Sequence, residues 1–458
     1  IRVKEGSEKA EKSRALMLLF TFMIAAGALT GEAFFGVESA ILAVADEVEV
    51  EQTYYESSWM DDTYLDEMLG TDDFNEVISA LDSLIDLNIS QGKKVKQFEK
   101  DYSKYVGMDF GVAVNSGSSA NLLALTALVM SGIVPKGSEV IVPAATFTTV
   151  ISPILQAGLK PVFVDIEMET YNISSTAIEA AITDSTALIM VVHSLGNPAN
   201  MKEIMKISND HKIPVFEDCC EAHGSSIDGK KAGSFGIICA WSFFVAHNMT
   251  TGEGGMVNTN DPKLDYILRS IREFGRLIDV DPSMERFGYS DDYLTDYDER
   301  YVFENIGYNV RMTDIAASMG IEQLKKLDSF NNKRAENAEK YCNGLNKYNK
   351  YLTMPNTPSG YFHSFYGFTI LVVEDAPFNR KDIITYLESR NIETRAFMGG
   401  NLSLQPAYRD LGIKVSGNLT ITENLTNNAF FIGCHPFLND TAINHVIKSV
   451  DEFMKEFV

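Results

Sequence analysis

The chain is short of the residues that build disulfide scaffolds and nucleic-acid surfaces. Five cysteines in 458 residues, an odd number in a chain this long, do not suggest a disulfide framework. They read as reduced thiols in a cytoplasm. Adjacent Cys219 and Cys220 have no companions at zinc-ligand spacing, so no metal site is expected. Positive charge is scarce: 39 Lys and Arg stand against 63 Asp and Glu, a formal net charge of −24. A nucleic-acid binder needs a basic face, which sets that class aside. An anionic small molecule stays open, because a pocket can be basic within an acidic protein. There is no internal repeat and no low-complexity tract.

What is present is an ordinary globular composition, 45% hydrophobic, in a chain long enough for a large domain and a smaller one. Residues 15–31 carry no charge and follow Lys9, Lys12 and Arg14. They read as a signal-peptide core or short membrane helix, at the lower edge of the about 17–25 residues that span a bilayer. At that marginal length the reading preferred is a packed or oligomer-contact helix, or sequence upstream of the enzyme proper. The chain starts on Ile1 rather than Met, which reads as a fragment or a processed chain. Asp46, Glu47, Glu49 and Glu51 form a solvated run closing an N-terminal extension, residues 1–53.

From about residue 55, Val- and Ile-rich runs (111–115, 139–143, 161–166, 187–192, 213–217) alternate with helix-like stretches (120–130, 176–181, 202–209). Such alternation predicts a largely parallel sheet covered on both faces. Segments 239–243 and 256–259 add strands on either side of a Gly-rich loop. Residues 277–305 form an acidic, Tyr-rich insertion, and long loops of this kind are often functional. Helices are expected at 315–327 and 333–345. A smaller α+β unit follows, with a strand at 367–373 and a helix at 380–390. The domains expected are 54–328 and 329–458.

Three segments have residues suited to chemistry. Gly117, Ser118 and Ser119 follow a strand and open a helix, where backbone N–H groups and hydroxyls suit a phosphate. Ser and Gly also make ordinary caps and turns. Asp218 ends a buried strand, where a carboxylate often caps the next turn. His223 reads as structural. His247 lies in the loop between Ser242 and Gly254. An imidazole can move protons near neutral pH, but a lone His in a Gly-rich loop can equally be solvated without chemistry.

In combination and order, these segments resemble the sugar aminotransferases of the DegT/DnrJ/EryC1/StrS family, over roughly residues 57–458. The resemblance implies an aspartate-aminotransferase-like α/β fold (fold type I of the pyridoxal phosphate, PLP, enzymes). Its large domain would have a mixed, mostly parallel sheet, beside a smaller C-terminal α+β domain. It implies PLP or its amine form PMP as cofactor. Gly117, Ser118, Ser119 and Ser242 would lie at its phosphate, Phe147 would stack on its ring, and Asp218 would pair with the pyridine nitrogen. Glu221, where many members have Gln, would face the ring hydroxyl or line the pocket. Asn309, among Gly307, Tyr308, Asn309, Val310 and Arg311, would reach the phosphate from a neighbouring subunit, which implies a homodimer. Phe147 alone reads equally as a core aromatic, and Arg311 as structural.

One position departs from the family. Where its aminotransferases carry the Lys that bonds PLP, this chain has His247, flanked by Ala246 and Asn248. Imidazole forms no stable Schiff base, so the cofactor would be held non-covalently. His-for-Lys resembles the family's sugar 3-dehydratases, those acting on GDP-4-keto-6-deoxy-D-mannose in colitose biosynthesis above all. That implies loss of the 3-hydroxyl from a nucleotide-4-keto-6-deoxysugar, GDP favoured, with L-glutamate as amino donor, in dideoxysugar biosynthesis of the O-antigen type. His247 would be the catalytic base, with a pKa near the working pH. Residues 277–305 contain no Cys, which argues against the iron–sulfur cluster of a related CDP-sugar enzyme. A 4-aminotransferase and an inactive cofactor-binding homologue are the alternatives. Decay would strike the other cofactor segments too, and these are intact in type and order. Arg395, Asn401 and His435 are candidate substrate selectors.

Overall fold

The computed structural model describes residues 75–85, 89–276, 298 and 301–457. The apolar segment 15–31 and most of the 277–305 insertion lie outside them. Among the described residues no helix is long and apolar enough to cross a membrane.

The first described elements are helices α1 (Asn75–Ile85) and α2 (Lys93–Val106). There follow β1 (Phe110–Val114), α3 (Gly117–Met130), β2 (Glu139–Pro143), α4 (Thr148–Gln156), β3 (Lys160–Val164), α5 (Ser175–Ala181), β4 (Thr186–Val192), α6 (Met201–His211) and β5 (Val215–Asp218). Two short strands, β6 (Ser226–Ile227) and β7 (Lys230–Lys231), precede β8 (Ile238–Ser242), β9 (Gly255–Thr259) and α7 (Pro262–Arg272). Helix starts are written in the sequence. Side chains of Ser116, Ser174, Asn200 and Asp261 accept from backbone N–H groups in the first turns of α3, α5, α6 and α7, satisfying donors with no partner inside the helix.

β1, β9, β8, β5, β4, β2 and β3 run in that order across an eight-stranded sheet, whose far edge is the later strand β14 (Lys414–Val415). β9 is antiparallel to both neighbours; all other pairs are parallel. Alternation along each strand splits the core in two. Val112, Val140, Leu188, Phe216 and Val257 face α3, α4 and α7. Ile141, Val162, Ile189 and Val215 face α5 and α6. Apolar residues run all round α3, because β8 and β9 lie on one side of it and α4 and α7 on the other.

The long helix α8 (Asp314–Leu345) overturns the expectation of two helices at 315–327 and 333–345. The polar stretch at 328–332 reads as a break because Asn and Asp are weak helix formers. Here Asn331 is buried with both ends of its amide bonded, so tertiary hydrogen bonds override propensity. The helix also runs unbroken through residue 328. Its first half lies on α1 and α2. Its second half joins the core of a four-stranded antiparallel sheet of β10 (Leu352–Thr353), β12 (Gly367–Val372), β15 (Ala429–Gly433) and β13 (Thr394–Ala396). Helices α9 (Arg380–Glu388) and α11 (Asp440–Met454) complete that core; α10 (Thr420–Asn428) and β11 (Tyr361–Phe362) lie between.

The two sheets are bolted together. Gly399 and Leu402 donate backbone N–H groups to Thr146 and Ala144, and Asp165 accepts from Ile421 N, Thr422 N and Thr422 Oγ1 at the start of α10. The described residues accordingly form one compact unit.

Candidate active site

Parallel strands place their C-terminal ends side by side, where open α/β sheets commonly bind ligands. Asp218 ends β5, Ser242 ends β8, and α3 starts beside them. A Cβ on Gly117 would lie 2.4 Å from Ser242 Cβ and 3.1 Å from Cys220 Sγ. Only a glycine lets the start of α3 approach Ser242 this closely. The N–H groups of Gly117 and Ser118 have no acceptor within their helix, Ser118 is exposed, and Ser119 N is held by Ser116 Oγ. This is a small, polar cradle at a helix N-terminus, which suits a phosphate.

Asp218 is buried with both oxygens bonded: Asn121 Nδ2 donates to Oδ2 at 2.7 Å and Cys220 N to Oδ1 at 3.0 Å. Asn121 Nδ2 also donates to Thr149 O, tying Asp218 to the start of α4, where Phe147 stands 53% exposed. That exposure overturns the reading of Phe147 as a core aromatic and leaves a ring face free for stacking. Glu221 accepts from Leu195 N at 2.9 Å. Burial raises its pKa from 4.5 to about 8, against that hydrogen bond and with help from Asp218, so the carboxyl holds a proton at neutral pH.

His223 is structural. Its Nε2 donates to Ser242 O at 2.8 Å, which leaves Nδ1 to accept from Tyr102 OH at 2.6 Å. Burial depresses its pKa to about 4.

His247 is half-buried. Its ring lies 5.4 Å from Tyr366, 6.1 Å from His223 and 6.4 Å from Phe244, between centroids. Nδ1 is sealed from solvent with no hydrogen-bond partner, so Nε2 is the nitrogen open to a reactant. Burial, then His223 and Arg334, lower the pKa to about 3. The expectation of a pKa near the working pH therefore fails for the protein by itself: a ring walled by aromatics, with a guanidinium nearby, stays neutral. Neutral imidazole is the form a base requires.

Asn309 is exposed and is not brought to this cluster. Its segment pairs with the chain beside β1 through Asn115 N and Val310 O at 2.9 Å. Arg311 pairs with Glu273 at 3.2 Å and stacks on Phe274. Asn401 caps the turn at Ser403, and Arg395 pairs with Glu393. His193, Glu217 and Cys219 lie close enough to suggest a metal site, but the pair at its centre is saturated. Ala199 N donates to His193 Nδ1, leaving its Nε2 to donate to Glu217, whose oxygens also accept from Gly233, Phe235 and Gly236 N–H groups. The sequence reading gave no role to Asn121, Leu195 or Tyr366, although the segments 118–121 and 365–368 resemble those of the 3-dehydratases.

The DegT/DnrJ/EryC1/StrS aminotransferase family model matches residues 69–451. The chain is 36% identical over 392 residues to dTDP-4-dehydro-2,6-dideoxy-D-glucose 3-dehydratase of Saccharopolyspora spinosa, covering 83% of this chain and 85% of that one. It is 35% identical over 366 residues to GDP-4-keto-6-deoxy-D-mannose 3-dehydratase of Escherichia coli O55:H7, covering 79% and 92%. Among solved structures, GDP-4-keto-6-deoxymannose-3-dehydratase with a trapped PLP-glutamate geminal diamine superposes with TM-score 0.76 at 32% identity, over 87% of this chain and all of that one.

Proposed function

The chain belongs to the DegT/DnrJ/EryC1/StrS aminotransferase family, and from that premise we propose that it is a nucleotide-sugar 3-dehydratase. It would convert an NDP-4-keto-6-deoxyhexose to the 4-keto-3,6-dideoxyhexose, in dideoxysugar biosynthesis of the O-antigen type. Overall the sugar loses one oxygen while L-glutamate becomes 2-oxoglutarate and ammonia, which balances. The observation that carries the reading is His247: an imidazole with Nδ1 turned inward and unpartnered, in a loop (residues 243–254) that contains no lysine.

The residues present fit PLP or PMP. The start of α3 with Ser118, Ser119 and Ser242 would hold the phosphate, Phe147 would stack on the ring, Asp218 would face the ring nitrogen, and the protonated Glu221 would donate to a ring oxygen. When bound, the cofactor supplies an electron sink for the carbanion that precedes loss of the 3-hydroxyl. His247 Nε2 would take a proton and return it, which requires the bound anionic cofactor and substrate to raise its pKa from the cofactor-free value toward neutral. With no Lys in the His247 loop, no amine of that loop competes for the cofactor, which would be held non-covalently. Asn121 Nδ2 and the Cys220 N–H bond the two oxygens of Asp218 and fix the direction in which its carboxyl group faces the cofactor. No iron–sulfur cluster is needed, since glutamate supplies the electrons. All five cysteines are free thiols, in keeping with work in the cytoplasm. We assign Asn309, exposed on its own subunit, to the neighbouring site of a homodimer.

The test is product mass spectrometry with PLP, L-glutamate and the GDP-, dTDP- and CDP-4-keto-6-deoxy sugars, GDP first. Loss of one oxygen, with 2-oxoglutarate and ammonia released, is the expected result and identifies the nucleotide. A sugar whose ketone has become an amine would replace the dehydratase reading with a 4-aminotransferase. No turnover of any sugar by cofactor-loaded protein would leave the inactive homologue.

A further inference from the structure

Helix α8 carries polar residues on the side it buries. Gln323, Asn331, Arg334 and Asn337 are each no more than 2% exposed. At 3.6 residues per turn they fall within about a third of the helix circumference. A buried amide or guanidinium is costly unless bonded, and here each bonds the backbone or loop of a different segment around the site. Gln323 Oε1 accepts from Thr250 N at 3.3 Å. Arg334 Nη1 donates to Phe365 O and Tyr366 O, both at 3.2 Å. Asn337 Nδ2 donates to His435 O at 2.9 Å.

Asn331 is the centre of this stripe. Its Oδ1 accepts from Asn248 Nδ2 at 2.9 Å, and its own Nδ2 donates to His223 O at 2.7 Å. Asn248, next in sequence to His247 and itself buried, also donates to Ser364 O at 2.9 Å. The turn after His223 backs onto Asn331 so closely that a Cβ on Gly224 would lie 2.4 Å from Asn331 Nδ2. Two segments thus meet on Asn331, the His247 loop and the His223 turn, and Asn248 ties them to the segment that presents Tyr366 to the His247 ring. Nδ1 of His247 is buried and has no hydrogen-bond partner among the described residues. Its orientation comes from its loop and its ring neighbours, and those are what Asn331 fixes.

We propose that Asn331 is a positioning residue for His247, setting the direction of Nε2 through Asn248 and the backbone of His223. The proposal rests on the reading of His247 as the proton-transfer group. Asn331→Leu keeps the branched heavy-atom skeleton and removes both hydrogen bonds. Its kcat is expected to fall about tenfold or more while KM for sugar and glutamate stays near the parent value, as for misplacement of a reacting group. A second readout needs no turnover: the rate at which diethyl pyrocarbonate modifies His247 in cofactor-free protein, followed by peptide mass mapping. Freed from its clamp, His247 should react about threefold faster or more, through local opening. Exposed His211 and His445 should not change, and buried His193 should stay protected. Asn248→Ala removes the other end of the same bond and should reproduce both effects, with little added in the double variant, as coupled sites do. It serves alone if Asn331→Leu does not fold.

An unchanged His247 modification rate in the folded variants overturns the positioning role, as does a fall in activity accompanied by faster modification of His193, which marks general loosening. Parent enzyme that dehydrates no sugar overturns the function but leaves the modification assay to decide on Asn331. Parent enzyme that dehydrates normally, with variants that match it, overturns the positioning role alone.

Discussion

The ring of Tyr366 lies 5.4 Å from that of His247, although strand, helix and loop separate them widely in the chain. Tyr366 N bonds Leu195 O at 3.0 Å, and Leu195 N bonds Glu221 at 2.9 Å. The wall behind the imidazole and the carboxyl that holds a proton are therefore built on one framework.

Replacing His247 by Asn should remove proton transfer and leave the cradle intact. Turnover should fall by about 10²- to 10⁴-fold, the usual contribution of a positioned base. Cofactor affinity, read by absorbance titration, should stay near the parent value. Loss of affinity in step with loss of rate would argue that His247 binds rather than transfers protons.

Glu221 should make cofactor-free protein less stable as pH rises. Its folded pKa, about 8, lies above the ordinary 4.5, so the folded state holds a proton that the unfolded state has lost. Stability from this group is full below the ordinary value and declines through that window. Glu221→Gln cannot ionise. Its melting temperature relative to the parent should climb between those two pH values and level off above, and a difference independent of pH would contradict the shift.

Gly117→Ala should disturb fold and cradle together. The new Cβ would sit 2.4 Å from Ser242 Cβ, and overpacking of this kind costs about 1–3 kcal/mol. The measurements are melting temperature and cofactor affinity, both expected to fall. Adding Ser242→Gly removes the colliding atoms and should restore stability more than affinity, because Ser242 is also assigned to the phosphate.

Glu99 joins α2 to β1 and α7. It accepts from Arg272 Nη1 at 2.6 Å, Arg269 Nη1 at 2.9 Å and Ala113 N at 2.9 Å. Burial works against its charge, but the two arginines outweigh it and hold its pKa below the usual value. Glu99→Leu strands the buried Arg272 and should cost about 3–5 kcal/mol in denaturant unfolding. Stability from Glu99 is present above its ordinary pKa and lost in acid, so the gap between parent and variant should narrow as pH falls below that value.

The sequence by itself determined the strand and helix order, because buried parallel strands are Val- and Ile-rich runs and helix caps are local. It also determined which residue types gather at the strand ends: Gly117, Asp218, Ser242 and His247 each sit where a local rule or a family pattern places them. Only the tertiary structure decided the rest. The continuity of α8 depends on the partners of Asn331, which no helix propensity encodes. The lowered pKa of His247 depends on burial first and then on His223 and Arg334, which come from distant segments. Desolvation and long-range hydrogen bonds are properties of the surroundings, and a linear pattern does not contain those surroundings until the chain has folded.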